Sequence, residues 1–293
     1  MLDAARQVLI DSGVLSQGDP LPHFAARMSG NLGLLFYLER GDFYLVKVGL
    51  LTRLDREYRG LTAAHRAMPS NVPEPIRLAT YRNYQVFVTR GIHHKPLFPF
   101  HGAADAEIFR EGISSYIATC GRAFRQSGTP VSLDRLKEAL RLASDIVQWR
   151  AWEGYFERVL AIAQRLSPTL QHGDFAVNNI GRCNGHLVFF DWEDFGEIDL
   201  PGFDLAILLL SINGFSLPAL RTKLSRASTE SDIVRRANEE LGLSTSEFLY
   251  LFPAYASLYI QTKARLGYPT KVTDRIAETL KEWIRLEPEH SLP

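Results

Sequence analysis

The stretch from Gln171 to Glu193, QHGDFAVNNIGRCNGHLVFFDWE, constrains the fold of this chain more than any other. Polar residues stand at both of its ends, and the residues between them have the pattern of a β-hairpin. Residues 180–182 form the outgoing strand, Cys183-Asn184-Gly185 supplies the turn, and the apolar residues 186–190 return. Because a hairpin brings its two ends together, the residues that flank it are expected to meet.

Three side chains with oxygen atoms flank this hairpin. Asp174 follows a His-Gly pair, Asn179 comes five residues later, and Asp191 directly follows the returning strand. Mg²⁺ prefers hard oxygen ligands, and an amide and a carboxylate supply them. Phosphoryl transfer needs such a metal, together with a carboxylate that orients and deprotonates the acceptor hydroxyl. Each residue alone is also common in ordinary turns and helix caps, so the prediction depends on the ordered set.

The ordered motif H-G-D-x-x-x-x-N, followed by a strand and D-W-E, resembles the aminoglycoside phosphotransferase and choline kinase family, whose members are relatives of the protein kinases. The resemblance implies an α+β, two-lobed protein-kinase-like fold. Residues 1–91 would form a small nucleotide-binding lobe, an antiparallel sheet with one helix. Residues 92–293 would form a larger, mainly helical lobe for catalysis and acceptor binding. The resemblance also implies that Asp174 is the catalytic base and that Asn179 and Asp191 are the metal ligands.

A second acidic motif, Asp194-Phe195-Gly196, spells the metal-binding triplet of protein kinases. It begins three residues after Asp191, whereas the ligand is expected directly at the end of the strand. We therefore predict that Asp191 binds the metal and that Asp194 is an acid of the following loop.

A segment of small residues, Ser29-Gly30-Asn31-Leu32-Gly33, lies between predicted strands at 24–29 and 34–39. Small residues let main-chain N–H groups approach phosphate oxygens, so Gly30 and Asn31 are predicted to contact the nucleotide. The full G-x-G-x-x-G pattern is absent, and an ordinary hairpin turn is the alternative.

Lys47 lies on the next predicted strand, residues 43–48. By the resemblance, it is the lysine that holds the α- and β-phosphates. The helix that follows carries Glu57 on its apolar stripe, and a buried carboxylate requires a partner because burying a lone charge is costly. Lys47 is the predicted partner, and Arg53, one turn earlier on the same helix, is the alternative.

Two further strands, at 76–80 and 84–89, precede the segment Thr89-Arg90-Gly91-Ile92. In the family, this segment is the hinge whose backbone binds the adenine edge. Thr89 and Ile92 are therefore predicted to contact the nucleotide by position alone, since backbone contacts leave no side-chain signature.

Beyond the hairpin, the segment from Ile198 to Ala206 resembles the family's D-P-x-x-D-L-A segment, with one extra residue between its two acids. The resemblance implies that Asp204 braces the catalytic loop through hydrogen bonds to its backbone. A helix N-cap is the other role for this residue, and the two are compatible. The extra residue leaves the role of Asp199 open.

Composition argues against several other classes of protein. The 293 residues include 33 basic and 33 acidic side chains, and this balance argues against a nucleic-acid partner. The two cysteines show no metal-ligand spacing and fit a reducing compartment. The first residues lack the pattern of a signal peptide, and the longest apolar run is too short to span a bilayer. We expect a cytoplasmic monomer or homodimer without a membrane partner.

Together, these features predict a kinase that transfers the γ-phosphate of ATP, with Mg²⁺, to a hydroxyl of a small-molecule acceptor, either a metabolite or an antibiotic. GTP in place of ATP stays open. Residues 205–293 carry eleven basic and ten acidic side chains, so they lack the acidic excess that would favour a polycationic aminoglycoside. One alternative is a protein kinase, although the H-R-D and A-P-E landmarks are missing. Another is a catalytically inactive nucleotide-binding regulatory module.

Overall fold

The computed structural model describes residues 2–19, 24–28, 31–37, 43–50, 53–97, 103–126, 131–147 and 152–286. The chain divides into two compact units. The first comprises residues 1–96 and 179–195, and the second comprises residues 97–178 and 196–293. The first unit is built on an antiparallel sheet and the second is mainly helical, so the predicted α+β fold class is confirmed.

The first unit contains a five-stranded antiparallel sheet. Its strands lie in the spatial order β1-β2-β3-β5-β4. Neighbours in sequence pair directly, except where helix α2 (Arg53–Ala67) connects β3 to β4. The strands are β1 (Phe24–Met28), β2 (Asn31–Tyr37), β3 (Phe43–Leu50), β4 (Glu74–Tyr81) and β5 (Tyr84–Arg90).

Helix α1 (Leu2–Asp11) contributes its apolar side to the core of the sheet. Its residues Ala5 and Leu9 are buried in one cluster with Val46 and Val48 of β3. Successive side chains of a strand point to opposite faces. Lys47, between these two valines, therefore lies on the face of the sheet that is turned away from α1.

A second, three-stranded sheet in the first unit contains the predicted hairpin. Its strands are β6 (Lys95–Pro96), β7 (Ile180–Cys183) and β8 (His186–Phe189), paired in that order. The turn residues Asn184 and Gly185 both have positive φ angles, 47° and 82°. This is the backbone of a type I′ turn, which Asn-Gly adopts readily and whose twist matches the strands. The hairpin is thus present where the sequence predicted it.

The described part of the second unit is dominated by helices, and α6 is its most apolar one, buried from Phe203 to Leu210. Helix α9 (Thr245–Tyr250) is separated by Leu251 from α10 (Phe252–Arg265), which has Pro253 in its first turn. Within the described residues, no single helix has the length and apolar composition to cross a membrane; only the bent pair α6 and α7 meets that criterion together. The helices are α3 (Ala103–Ala123), α4 (Leu133–Val147), α5 (Trp152–Arg165), α6 (Phe203–Ile212), α7 (Leu217–Leu224), α8 (Thr229–Leu241), α9 (Thr245–Tyr250), α10 (Phe252–Arg265) and α11 (Thr270–Leu286).

Candidate active site

An ion pair between β3 and α2 is the centre of the first group of candidate residues. Lys47 Nζ lies 2.6 Å from Glu57 Oε1. Glu57 is buried on the same helical stripe as Leu54 and Leu61, which explains why its carboxylate needs a charged partner. The ion pair predicted from the sequence is therefore present.

Asp191 brings a second carboxylate to the same lysine. Its Oδ1 lies 3.5 Å from Lys47 Nζ. β8 ends at Phe189, one residue earlier than predicted, so Phe190 separates it from Asp191. Asp191 has φ 62° and ψ 62°, a left-handed conformation that Asp adopts more readily than most residues. A short 3-10 helix, Trp192–Asp194, begins directly after it.

Glu193 completes a cluster of three carboxylates, with ligand oxygens of Glu57, Asp191 and Glu193 all within 4.8 Å of one another. Burial alone would lower the pKa of Lys47, but the carboxylates of Glu57 and Asp191 outweigh it and hold that pKa above its usual range. Burial raises the pKa of Glu57 against the attraction of Lys47. Three acids around one lysine leave excess negative charge. Hard oxygen donors with such a charge fit a divalent cation such as Mg²⁺.

Asn179 stands at the other end of the hairpin. It is buried and is the last residue of a 3-10 helix, Val177–Asn179, directly before β7. The backbone N–H of Phe190 donates a hydrogen bond of 2.9 Å to the carbonyl of Asn179. The ends of the hairpin therefore meet as predicted, and Asp191 follows the residue that makes this contact.

Asp174, the predicted base, belongs to the second unit, where two side chains of α10 contact its carboxylate. Lys263 Nζ lies 3.1 Å from Oδ2, and the Tyr259 hydroxyl donates a hydrogen bond of 3.3 Å to Oδ1. The Asp174 side chain stays 21% exposed, whereas that of Lys263 is only 1% exposed. A paired carboxylate that stays accessible can accept a proton from a bound hydroxyl.

Asp204 of α6 braces the loop that carries Asp174, as the resemblance implied. Its two carboxylate oxygens accept hydrogen bonds of 2.8 Å from the His172 N–H and 3.1 Å from the Gly173 N–H. The Tyr116 hydroxyl donates a third, of 2.8 Å. Burial raises the pKa of Asp204 above its ordinary value, although His172 and these donors oppose the shift.

The sequence left the role of Asp199 open, and the structure shows that this residue connects two segments of the second unit. Its Oδ2 accepts a hydrogen bond of 3.0 Å from the Ser132 N–H, directly before α4, and its carbonyl accepts one of 2.9 Å from the Thr169 N–H. Asp199 therefore joins the start of α4 to the segment that leads to the loop that carries Asp174.

Asp194 differs from its prediction as a loop acid. Its side chain is fully buried and its Oδ1 lies 3.5 Å from Arg56 of α2. Arg56 also donates a hydrogen bond to the carbonyl of Glu193. The sequence could not indicate this burial, because Arg56 lies 138 residues before Asp194. Asp194 links α2 to the segment after Asp191. The cluster of three carboxylates contains Asp191 and does not contain Asp194.

The remaining predicted nucleotide contacts are backbone positions. Gly30 lies outside the described residues. Asn31, predicted in a loop, begins β2 and pairs with Met28 of β1, so the strand starts earlier than its apolar pattern indicated. Thr89 is buried in β5, where its hydroxyl donates a hydrogen bond of 3.3 Å to the Leu45 carbonyl. The carbonyl of Ile92, just beyond β5, lies 3.0 Å from His94 Nδ1.

Sequence reasoning missed Tyr259 and Lys263. The two stand four residues apart on α10, so they share one face of that helix. The sequence offered one signal, a lysine close behind the largely apolar run from Phe252 to Ile260. The structure shows that this run is buried. Lysine is almost never fully buried unless it has a partner, but nothing in the sequence identified Asp174 as that partner.

Residues 44–237 match the model of the phosphotransferase enzyme family. No curated protein matches the chain at a significant level.

Several solved structures share the fold at low sequence identity. The amicoumacin kinase hAmiN, in complex with AMP-PNP, Ca²⁺ and Ami, superposes with a TM-score of 0.58 at 15% identity, over 98% of this chain and 95% of that one. The aminoglycoside phosphotransferase APH(4)-Ia gives a TM-score of 0.62 at 12% identity, over 97% and 99% of the two chains. An ethanolamine kinase from Plasmodium vivax gives 0.58 at 11%, over 90% and 81%.

Proposed function

Because the chain belongs to the phosphotransferase enzyme family, we propose that it transfers the γ-phosphate of ATP to a hydroxyl group of a small molecule. One observation carries the proposal. The Lys47 ammonium lies against Glu57 and Asp191, within a cluster that holds an excess of carboxylates. Binding the phosphates of a nucleoside triphosphate requires a fixed cation beside a site for a divalent metal.

Lys47 would hold the phosphate oxygens as a point charge, and Glu57 would keep its ammonium in place. Asp191 and Asn179 would hold Mg²⁺. When bound, this ion neutralises negative charge on the phosphate oxygens. The AMP-PNP and Ca²⁺ in the amicoumacin kinase complex support a nucleotide with a divalent cation. The backbone between Thr89 and Ile92 would bind the adenine edge, and the backbone of Gly30 and Asn31 would approach the phosphates.

Asp174 would orient the acceptor hydroxyl and take its proton. The acceptor oxygen forms a bond to the γ-phosphorus as the bond from that phosphorus to the bridging oxygen breaks, and ADP leaves with the bonding electrons. Asp174 precedes Asn179 by five residues, so one short segment carries the base and a proposed metal ligand.

The test uses the full chain, Mg²⁺ and ATP labelled in its γ-phosphate. A panel of hydroxyl compounds from the sugars, amino alcohols, nucleosides and antibiotics is screened for labelled product by mass spectrometry. Transfer to a compound of the panel is the expected result. Labelled protein without any labelled small molecule would favour the protein-kinase alternative, and no labelled product with either would argue for a non-catalytic nucleotide-binding module.

Asp174→Asn is the matched variant for this test. It should bind ATP nearly as the wild type does but transfer phosphate roughly 10²- to 10⁴-fold more slowly, the usual contribution of a general base. Turnover within a few-fold of wild type would contradict the assignment of Asp174 as base.

A further inference from the structure

Lys263 is a charged residue inside one of the most buried helices of the protein. It lies near the end of α10, and its side chain is 1% exposed. Burying an ammonium group is costly, so its contacts must compensate for the lost hydration. The contact of 3.1 Å to Asp174 Oδ2 supplies the opposite charge.

Aromatic rings surround the same ammonium group. Lys263 Nζ lies 4.2 Å from the centre of the Tyr268 ring and 5.4 Å from that of Tyr259. A cation at such distances is attracted by the negative face of a ring. The backbone N–H of Tyr268 also donates a hydrogen bond of 3.0 Å to the Lys263 carbonyl, which holds this ring next to the end of the helix. The ammonium is therefore confined to a defined position.

The Asp174 carboxylate is held at both of its oxygens. Tyr259 donates to Oδ1 and Lys263 contacts Oδ2, so the plane of the carboxylate is defined by two groups from one helical turn. Each carboxylate oxygen has two acceptor sites, so neither of these two contacts uses the full acceptor capacity of its oxygen. The remaining exposure of Asp174 leaves the carboxylate open to a hydroxyl group.

Stability alone does not explain a lysine at this position. A buried ion pair adds little net stability compared with apolar side chains of similar volume, because both charges lose their hydration. The lysine is better explained by what it does to Asp174.

We propose that Lys263, assisted by Tyr259, is a positioning residue for phosphoryl transfer that holds the Asp174 carboxylate in a fixed orientation. The inference rests on the proposed function, in which Asp174 takes the proton of the acceptor. In the loose transition state of phosphoryl transfer, the protein contributes mainly by positioning. A carboxylate held at both of its oxygens is one way to supply that positioning.

The experiment compares Lys263→Met, Lys263→Arg and Tyr259→Phe in the full chain. The probe is ATP with Mg²⁺ and water as the acceptor, measured as ADP release, so no acceptor has to be known in advance. Lys263→Met should lower kcat by about 10- to 10²-fold, a part of what a general base supplies, with KM for ATP unchanged. Lys263→Arg keeps the charge and should recover most of the rate. Tyr259→Phe keeps the ring and should lower kcat several-fold.

Thr262→Val is the matched control. Thr262 is the neighbour of Lys263 on α10, is equally buried, and its hydroxyl has no hydrogen-bond partner among the described residues. This variant should keep both the wild-type rate and the wild-type stability. An equal loss of rate in Thr262→Val and Lys263→Met would attribute the effect to packing of α10 and overturn the proposal.

A double-mutant cycle separates this inference from the function on which it rests. If Lys263 acts through Asp174, Lys263→Met should cause little further loss of rate in the Asp174→Asn background. Fully additive losses, or a kcat of Lys263→Met within twofold of wild type while Asp174→Asn is slow, would overturn the role of Lys263 and leave the base assignment intact. Wild-type turnover in Asp174→Asn would instead contradict the assignment of Asp174 as base, the part of the proposed function on which the inference rests. If Lys263→Met does not fold, the Tyr259→Phe and Asp174→Asn pair gives the same cycle, and additivity there overturns the inference.

Discussion

Lys47 Nζ donates a hydrogen bond of 2.6 Å to Glu57 Oε1, joining the centre of the five-stranded sheet to helix α2. Both side chains are largely buried, at 13% and 7% exposure. Each charge therefore depends on the other, and the position of the lysine depends on the position of the helix. The contacts of α2 thus determine how well the proposed phosphate site is formed.

A double-mutant cycle tests the coupling of these two residues. Lys47→Ala should weaken ATP use and lower stability, because it leaves Glu57 as a buried charge without its partner. Glu57→Ala should mainly slow turnover, since Lys47 is then no longer held near the phosphates. Turnover of the double variant should be clearly non-additive. Strictly additive losses would mean that the two residues act separately.

The two acids at the end of the hairpin should respond differently to removal. Asp191→Ala should abolish Mg²⁺-dependent ATP binding, because it removes a carboxylate from the cluster around Lys47. Asp194→Ala should keep that binding but destabilise the fold by about 1–3 kcal/mol, the usual cost of leaving a buried polar group without its bond. Titration with ATP and Mg²⁺, with urea unfolding of each variant, distinguishes them. The opposite pattern would place the metal at Asp194.

Gly60 allows α2 to approach the segment that follows Asp191. A Cβ atom added at Gly60 would lie 2.5 Å from the Trp192 carbonyl oxygen and 2.8 Å from Phe195 Cβ. Gly60→Ala should therefore cost about 1–3 kcal/mol through overpacking. It should also slow turnover, because a displaced α2 moves Glu57 away from Lys47.

Gly154→Ala in α5 is the control for this substitution, because nothing lies within 4 Å of the added Cβ. It should stabilise the protein by about 0.5–1 kcal/mol, the intrinsic helix preference of Ala over Gly. Urea unfolding and ATP turnover of both variants give the comparison. A Gly60→Ala protein as stable and active as wild type would contradict the close packing of α2.

Asp204 should make stability depend on pH. Burial raises its pKa in the folded state, so the folded protein binds more protons than the unfolded chain between the ordinary and the raised value. The contribution of Asp204 to the free energy of unfolding is therefore complete below the ordinary carboxyl pKa and falls as pH rises through the raised one. Asp204→Asn should remove this slope, as measured by urea unfolding across a pH series. An unchanged slope would contradict the shift.

Asp204→Asn should also impair catalysis. An amide has a single acceptor oxygen, so it cannot accept from the N–H groups of His172 and Gly173 with two oxygens as the carboxylate does. The loop that positions Asp174 should loosen, and kcat should fall while ATP binding is retained. Tyr116→Phe removes only the third donor and should have a smaller effect.

The sequence by itself determined the features that depend on neighbouring residues. Asn184-Gly185 specifies the turn because these two residues tolerate positive φ angles, and the turn brings the ends of the hairpin together. The alternation along β3 separates Lys47 from the core valines, and the apolar stripe of α2 places Glu57 on its inner side. These patterns repeat within a few residues, so local stereochemistry and periodicity suffice to predict them.

Only the tertiary structure decided which distant residues meet. It pairs Asp194 with Arg56, groups residues 179–195 with the N-terminal sheet, and places Lys263 against Asp174. A charged residue within an apolar pattern indicates that it has a partner of opposite charge. Many residues along the chain carry that charge, so the sequence does not identify the partner. The partner is determined by how helices and strands from distant parts of the chain pack together. The energy of that packing is spread over many contacts, so it leaves no local pattern in the sequence.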